Sequence, residues 1–194
     1  EKYGKVSIVN RLDRETSGLL IAARNPATAG GLSAQLQDGR MEKSYHALVF
    51  GEISAPFSAE GYLSADPGSA VRKKRRFTPE APDEAAAEYA YTDFSPVCCA
   101  DGMTLLLVRP RTGRLHQIRA TLCSLGYPMI GDKIYGPDET CYLRFLEDAL
   151  TEKDMTFLRM PRQALHASGL GFYHPATGEK MTFESPLPDD FILR

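Results

Sequence analysis

Asp13 lies in a short polar segment, Arg11-Leu12-Asp13-Arg14-Glu15-Thr16-Ser17, between two apolar runs. A carboxylate there can serve as nucleophile, general acid or general base, although an isolated aspartate of this kind is most often a turn or cap residue. Arg119 shifts the weighting. On a helical wheel it falls at the edge of the stripe formed by Leu115, Ile118 and Leu122, and an arginine bordering a buried face needs an anion or a carboxylate for its fork. Arg114 is expected at the start of the same helix, where free backbone N–H groups favour phosphate. This arrangement suits RNA, a nucleotide or an internal carboxylate equally well. Tyr45, next to His46 in an alternating segment, reads either as a core tyrosine or as a ring that stacks on a nucleobase while its hydroxyl joins a proton transfer.

Other chemistries find little support. His46, His116, His166 and His174 form no H-x-x-x-H pair and none sits at ligand spacing from two cysteines, so no metal is expected. Glycine-rich nucleotide loops and a serine-hydrolase elbow are lacking, and no cofactor is expected. Cys98, Cys99, Cys123 and Cys141 make no C-x-x-C pair, which favours a reducing, cytoplasmic setting. No apolar run approaches the roughly 18 residues of a membrane span, and no leader is evident, so no membrane association is expected. The net charge of −2 disfavours a strongly basic protein that coats nucleic acid. Charge is nevertheless segregated: Arg72, Lys73, Lys74, Arg75 and Arg76 form one run, and Arg109, Arg111, Arg114 and Arg119 occupy a stretch without acids. A local polyanion site is therefore compatible with the negative total, as is a merely solvated loop.

The elements that must position these groups follow from periodicity. Val6–Asn10 reads as a strand, and Gly18–Ala23 as a strand buried on both faces. Asn25 caps a helix with Pro26 at its first position, Leu32 and Leu36 inward and Gly39 as the stop. Lys43–Phe50 alternates, with Tyr45, Ala47 and Val49 on one face. Residues 52–84, rich in Ala, Ser, Pro and Gly, read as a loop-rich excursion carrying the basic run. Ala87–Phe94 and Met103–Arg109 flank the turn dipeptide Asp101-Gly102 and predict a hairpin. Gly113–Leu125 has helical spacing with Gly126 as its stop, acidic helical segments follow with a Thr151-x-x-Asp154 capping pair, and Leu170–His174 and Lys180–Phe183 form a last hairpin. The sum is a strand-dominated α+β domain with helices inserted between hairpins.

Six blocks carry a resemblance. Arg11-Leu12-Asp13-x-x-Thr16-Ser17-Gly18-Leu19-Leu20, Lys43-x-Tyr45-x-Ala47-x-Val49-x-Gly51 and Thr112-Gly113-Arg114-x-His116-Gln117-Ile118-Arg119 come first. Leu125-Gly126-x-Pro128-x-x-Gly131-Asp132-x-x-Tyr135-Gly136 and Leu165-His166-Ala167 with His174-Pro175-x-Thr177-Gly178-Glu179 complete the set. In this order and over nearly the whole chain they resemble the RluA family of pseudouridine synthases. The resemblance implies an α+β fold with a mixed, mainly antiparallel central sheet flanked by helices and loops. It implies isomerisation of uridine in RNA: the N1–C1′ bond breaks, the base turns, and C5 joins C1′. Asp13 would act at C1′ as nucleophile or by assisting elimination, Arg119 would pair with it, and Tyr45 would stack on the extruded uracil and assist proton removal at C5. Arg11, Arg14, Thr16, Arg114, His116 and Gln117 would contact RNA, joined by the run Arg72, Lys73, Lys74, Arg75 and Arg76.

Asn10 and Thr121 depart from the family, which commonly has His at both positions, and these departures bear on substrate preference. The segment that usually precedes the first block, and any S4-type RNA-binding domain, are not in this sequence. The expectation is a catalytic domain over residues 1–194, acting as a monomer in the cytoplasm on ribosomal RNA, with transfer RNA as the alternative. Two rivals are an RNA-binding protein that keeps the scaffold without turnover, and a glycosidase-like hydrolase that pairs Asp13 with a second carboxylate. The second needs a partner acid, and Glu15 is poorly placed, two residues away in the same turn.

Overall fold

A computed structural model describes residues 6–136 and 138–191. The elements in chain order are β1 (Ser7–Ile8), β2 (Ser17–Gly18), β3 (Ala22–Ala23), α1 (Pro26–Gln37), β4 (Glu42–Phe50), β5 (Phe57–Ala65) and β6 (Arg75–Thr78). They continue with β7 (Glu88–Ala100), β8 (Met103–Pro110), α2 (Gln117–Ser124), α3 (Thr140–Leu146), α4 (Glu152–Leu158), β9 (Leu165–Tyr173) and β10 (Lys180–Glu184).

The main sheet runs β10-β9-β4-β8-β7-β5-β6, antiparallel throughout, and β2 adds the one parallel pairing by joining β9. The mixed, mainly antiparallel α+β architecture expected from the sequence is thus observed. Local signals explain several elements. Asn25 accepts from the Thr28 N–H at 2.9 Å with Pro26 behind it, so α1 begins where its cap dictates. Asp101 and Gly102 both have positive φ, the geometry that a two-residue hairpin between right-twisted strands requires. Thr151 and Asp154 form a reciprocal capping box at α4.

Three expectations are corrected. Residues 52–84 are no loop excursion, because β5 and β6 lie within them and extend the sheet beyond β7. Phe57, Ala59, Gly61 and Leu63 alternate inward, but small residues hide the pattern: strand propensity is weak for Ala and Gly, and pairing with β7 decides. Phe57 stacks on its cross-strand partner Phe94 at 4.9 Å. Gly18–Ala23 is not one doubly buried strand, since its first half pairs with β9 and its second with β1, leaving Leu20 47% exposed at the changeover. The helix expected from Gly113 starts only at Gln117, with Leu115 exposed outside it. Arg114 accordingly lies in the turn ahead of the helix.

The principal core gathers Leu48, Val49, Phe94, Leu106, Val108, Leu122 and Ile130 between the sheet and α2. A second cluster under α1 joins Leu32 and Met41 to Leu170 and Phe172. The loop from β1 to β2, which carries Asp13, is anchored to both halves of the molecule.

Candidate active site

Four ties fix the Asp13 loop. The Asn10 side-chain oxygen accepts from the Ile21 N–H at 2.7 Å, and the Thr16 N–H closes a turn on the Asp13 carbonyl at 3.0 Å. Glu15 is bound by the Lys133 ammonium at 2.7 Å, and Leu19 N–H reaches the Ala167 carbonyl at 2.9 Å. Gly18, at φ +109°, makes that last approach possible, because a Cβ there would fall 2.2 Å from the Ala167 oxygen. Asn10 is therefore a support of the loop. The other departure, Thr121, is buried in α2.

Asp13 meets Arg119 across 106 residues of chain, with Nη1 donating to Oδ2 at 2.8 Å. Arg119, 5% exposed, turns the rest of its fork to Asp132, donating from Nε at 2.6 Å and Nη2 at 2.8 Å. Asp132 is fully buried and also accepts from the Ile134 and Tyr135 backbone N–H groups, each at 3.0 Å. Burial opposes both charges, yet each holds the other: Asp132 and Asp13 raise the guanidinium pKa, and Arg119 with the two N–H groups keeps Asp132 ionised. The Tyr135 ring packs against the guanidinium, 4.9 Å from its centroid. Arg119 is thus a bracket, locked to Asp132 on its inner side and holding Asp13 toward solvent on its outer side.

Asp13 opens into a cleft of about 480 Å³ lined by Asn10, Arg11, Thr16, Lys43, Tyr45, Arg114, His116 and Arg119 among others. Tyr45 enters from β4, beside an irregularity where β9 skips Ser168. Burial, and after it the charge of Asp13, push the Tyr45 phenol up to about 12, so it stays protonated at neutral pH. Lys43, two residues before it, is half-buried with no ion-pair partner among the described residues, and burial lowers its pKa. His116 stands at the mouth of α2 with φ +55°, its Nδ1 2.9 Å from the Tyr135 hydroxyl.

The predicted residues divide accordingly. Asp13, Tyr45 and Arg119 converge on the cleft, and Arg11, Thr16, Arg114 and His116 line it. Arg14 is exposed and stacks over Phe145 at 5.2 Å, away from the cleft lining. Gln117 also borders the cleft, but it is 4% exposed and its amide is already engaged: it accepts from Thr112 Oγ1 and the Arg114 N–H and donates to the Tyr91 carbonyl and Thr92 Oγ1. The basic run divides. Lys74 is bound to Glu139 at 2.6 Å and Arg76 to Glu84, while Arg72 and Lys73 are exposed without ion pairs among the described residues, and Arg75 is half-buried. Asp132, Tyr135 and Lys43 stood in the blocks that carry the resemblance, as Gly131-Asp132-x-x-Tyr135 and Lys43-x-Tyr45, but were given no role from sequence.

One group of possible metal ligands, Asp138, Cys141 and Asp154, comes together among the described residues. Arg144 occupies it, donating to Asp138 at 3.0 Å and from Nε to Asp154 at 2.9 Å, so a cation is already supplied by the chain. Among the described residues the paired acid of a glycosidase has no counterpart: Glu15 is tied to Lys133, and Asp132 is locked beneath Arg119.

Known proteins carry the same plan. The chain is 31% identical over 186 residues to "Ribosomal large subunit pseudouridine synthase D" of Zymomonas mobilis, covering 96% of this chain and 54% of that protein. It is 35% identical over 191 residues to the protein of the same name from Pseudomonas aeruginosa, covering 97% and 55%. The chain therefore spans about half the length of these curated relatives. The solved structure of human RNA Pseudouridylate Synthase Domain Containing 1 superposes with a TM-score of 0.76 at 25% identity, over 98% of this chain and 72% of that one. Residues 1–124, which hold the Asp13 loop, Tyr45 and Arg119, match the family described as RNA pseudouridylate synthase, and the chain belongs to that family.

Proposed function

We propose that this chain isomerises uridine to pseudouridine in structured RNA, with ribosomal RNA as its substrate class, and that residues 1–194 act as the catalytic domain. The observation that carries the reading is the Asp13–Arg119–Asp132 array opening into a cleft beside Tyr45. In a base-flipping enzyme the extruded nucleotide enters such a cleft. Asp13, held toward the cleft by Arg119, acts at C1′ as nucleophile or by assisting elimination, and the N1–C1′ electron pair leaves with uracil. The freed base turns and C5 bonds to C1′ as the Asp13–C1′ ester bond breaks on the nucleophilic route, or as the proton taken from C2′ returns on the elimination route. The proton lost from C5 is balanced by the one gained at N1, so neither water nor a redox partner is consumed.

Tyr45 enters as a phenol, since its proton is held until about pH 12. It stacks on uracil and relays the C5 proton through its hydroxyl, with Asp13 as the nearby carboxylate whose charge it feels. Arg11, Arg114, His116 and Lys43 hold the nucleotide from the walls, and Arg72 and Lys73 contact phosphates outside. The ribosomal substrate is supported by the names of the two bacterial relatives. A cytoplasmic monomer is part of the same reading, its reducing setting supported by the four free cysteines; no helix among the described residues is long and apolar enough to cross a membrane.

The test is incubation of the protein, and of Asp13→Asn, with ribosomal and transfer RNA transcripts labelled with tritium at uridine C5. Tritium release with pseudouridine in the digest is expected from the wild type on ribosomal RNA and none from Asp13→Asn. Free uracil would point to the hydrolase, and RNA binding without either product would overturn the isomerase reading.

A further inference from the structure

Tyr135 and His116 fix one another's protons. The Tyr135 hydroxyl is buried and accepts from the Arg75 N–H at 2.9 Å. Burial raises its pKa far above neutrality, so the phenol keeps its own proton. That proton needs an acceptor, because a buried O–H left unpaired is strongly disfavoured. Among the described residues the one acceptor in reach is His116 Nδ1, at 2.9 Å. Nδ1 is therefore bare and the proton of the neutral ring sits on Nε2. Burial first, and then the charge of Arg119, push the imidazole pKa down to about 4, against the opposing pull of Asp13 and Asp132.

The ring is also held in place. It meets Tyr135 edge-on with centroids 5.6 Å apart, and its backbone occupies the left-handed region, a conformation that persists where surrounding contacts over-determine it. No described residue takes a hydrogen bond from Nε2, and the ring lines the cleft with Asp13, Tyr45 and Arg119. Several other donors on these walls, Lys43, Arg11, Arg111 and Arg114, are cations suited to phosphate. His116 differs from them in offering an uncharged N–H, on a ring held rigidly beside Asp13, Tyr45 and Arg119.

On the isomerase reading above, we propose that His116 reads the target base, its Nε2–H donating to a carbonyl oxygen of the uracil held beside Asp13 and Tyr45. Uracil has an approximate two-fold axis through N3 and C6. Turning the base about it exchanges N1 with C5 and O2 with O4. One fixed donor therefore finds a carbonyl both before the rotation and after it. Cytosine presents an amino group at one of the two positions, where donor would face donor, so the same contact discriminates between the pyrimidines.

The experiment has two parts. In free, isotope-labelled protein, nitrogen–proton NMR of the imidazoles is expected to show His116 protonated at Nε2 and bare at Nδ1 from about pH 6 to about pH 8; a proton on Nδ1 overturns the proposal whatever the activity. In single-turnover assays, RNA carrying uridine, 2-thiouridine or 4-thiouridine at the target is compared between wild type and His116→Ala. The variant is expected to be about tenfold slower on uridine. The oxygen-to-sulfur rate ratio is expected to be about three- to tenfold larger in the wild type for both thio substitutions, the scale of one neutral hydrogen bond. An active wild type matched by His116→Ala in rate and sulfur sensitivity overturns this proposal alone. A wild type that makes no pseudouridine overturns the isomerase reading and this proposal with it.

Discussion

Arg119 serves two carboxylates of different kinds, and the difference predicts how each responds to substitution. Asp13 is partly open to solvent, and without its charge Arg119 still has the bidentate pair with Asp132. Asp13→Asn is expected to abolish isomerisation while changing stability by no more than about 1 kcal/mol, as measured by urea unfolding. Asp132→Asn is expected to lose about 3–5 kcal/mol, because it leaves a buried guanidinium short of its counter-charge. Equal losses for the two would remove the bracket role from Arg119. Tyr45→Phe separates stacking from proton transfer: the ring keeps a stacking contribution of about 1–3 kcal/mol per base. RNA affinity should stay near wild type while product formation stalls after glycosidic cleavage. Wild-type turnover by Tyr45→Phe would show that the hydroxyl takes no part.

At the scale of elements, β5 and β6 explain why five consecutive cations do not act alike. Strand β6 begins at Arg75, and its approach is clamped by the Lys74–Glu139 and Arg76–Glu84 pairs. Arg72 and Lys73 lie in the turn ahead of it and face solvent. The Arg75 N–H binds Tyr135, so this edge of the sheet is joined directly to the bracket around Arg119. Replacing Arg72 and Lys73 together by Gln is expected to weaken RNA binding and to flatten its log–log salt dependence by about 0.7–0.9 for each phosphate no longer neutralised. The single-turnover rate at saturating RNA should be unchanged, because cations on phosphates position the substrate without entering the bond-breaking step. An unaltered salt slope would return both residues to the status of a solvated turn and leave Arg11 and Arg114 as the electrostatic footprint.

For the whole molecule, three histidines are kept neutral by the fold. His46, His116 and His166 all have pKa values below the ordinary 6.5, with burial the largest cause in each. The unfolded chain therefore binds more protons than the folded one just below pH 6.5, and stability rises with pH across that window. Acidification from about pH 6.5 toward about 4, the value to which His116 is lowered, is expected to destabilise the protein progressively. Above pH 7 these groups contribute no slope. Urea midpoints at pH 7.5, 6 and 5 should fall in that order, and His116→Asn should flatten the series. Midpoints independent of pH over this range would mean that the histidines are solvated.

Much of this protein was decided by its sequence alone, wherever the deciding partner is a near neighbour. The Asn25 cap, the Asp101-Gly102 turn, the Thr151–Asp154 box and the alternation of β4 all arise within a few residues, so they could be read directly. Asp13, Tyr45 and Arg119 were also legible, as residue types inside ordered blocks. Which atom meets which belonged to tertiary structure. Arg119 at the edge of its stripe left RNA, nucleotide and carboxylate open, and only the fold brought Asp13 to it across 106 residues and slid Asp132 beneath. Gln117 stood in the same motif as His116, yet the fold engaged its amide with four protein partners, while no described residue takes a hydrogen bond from Nε2 of the neighbouring imidazole. Phe57–Ala65 became a strand because β7 and β6 pair with it, against the weak preference of its own small residues. Local propensity is set by steric and hydrogen-bonding terms within a turn or two of chain, whereas burial, ion pairing and the position of a proton depend on groups that meet only when the sheet closes.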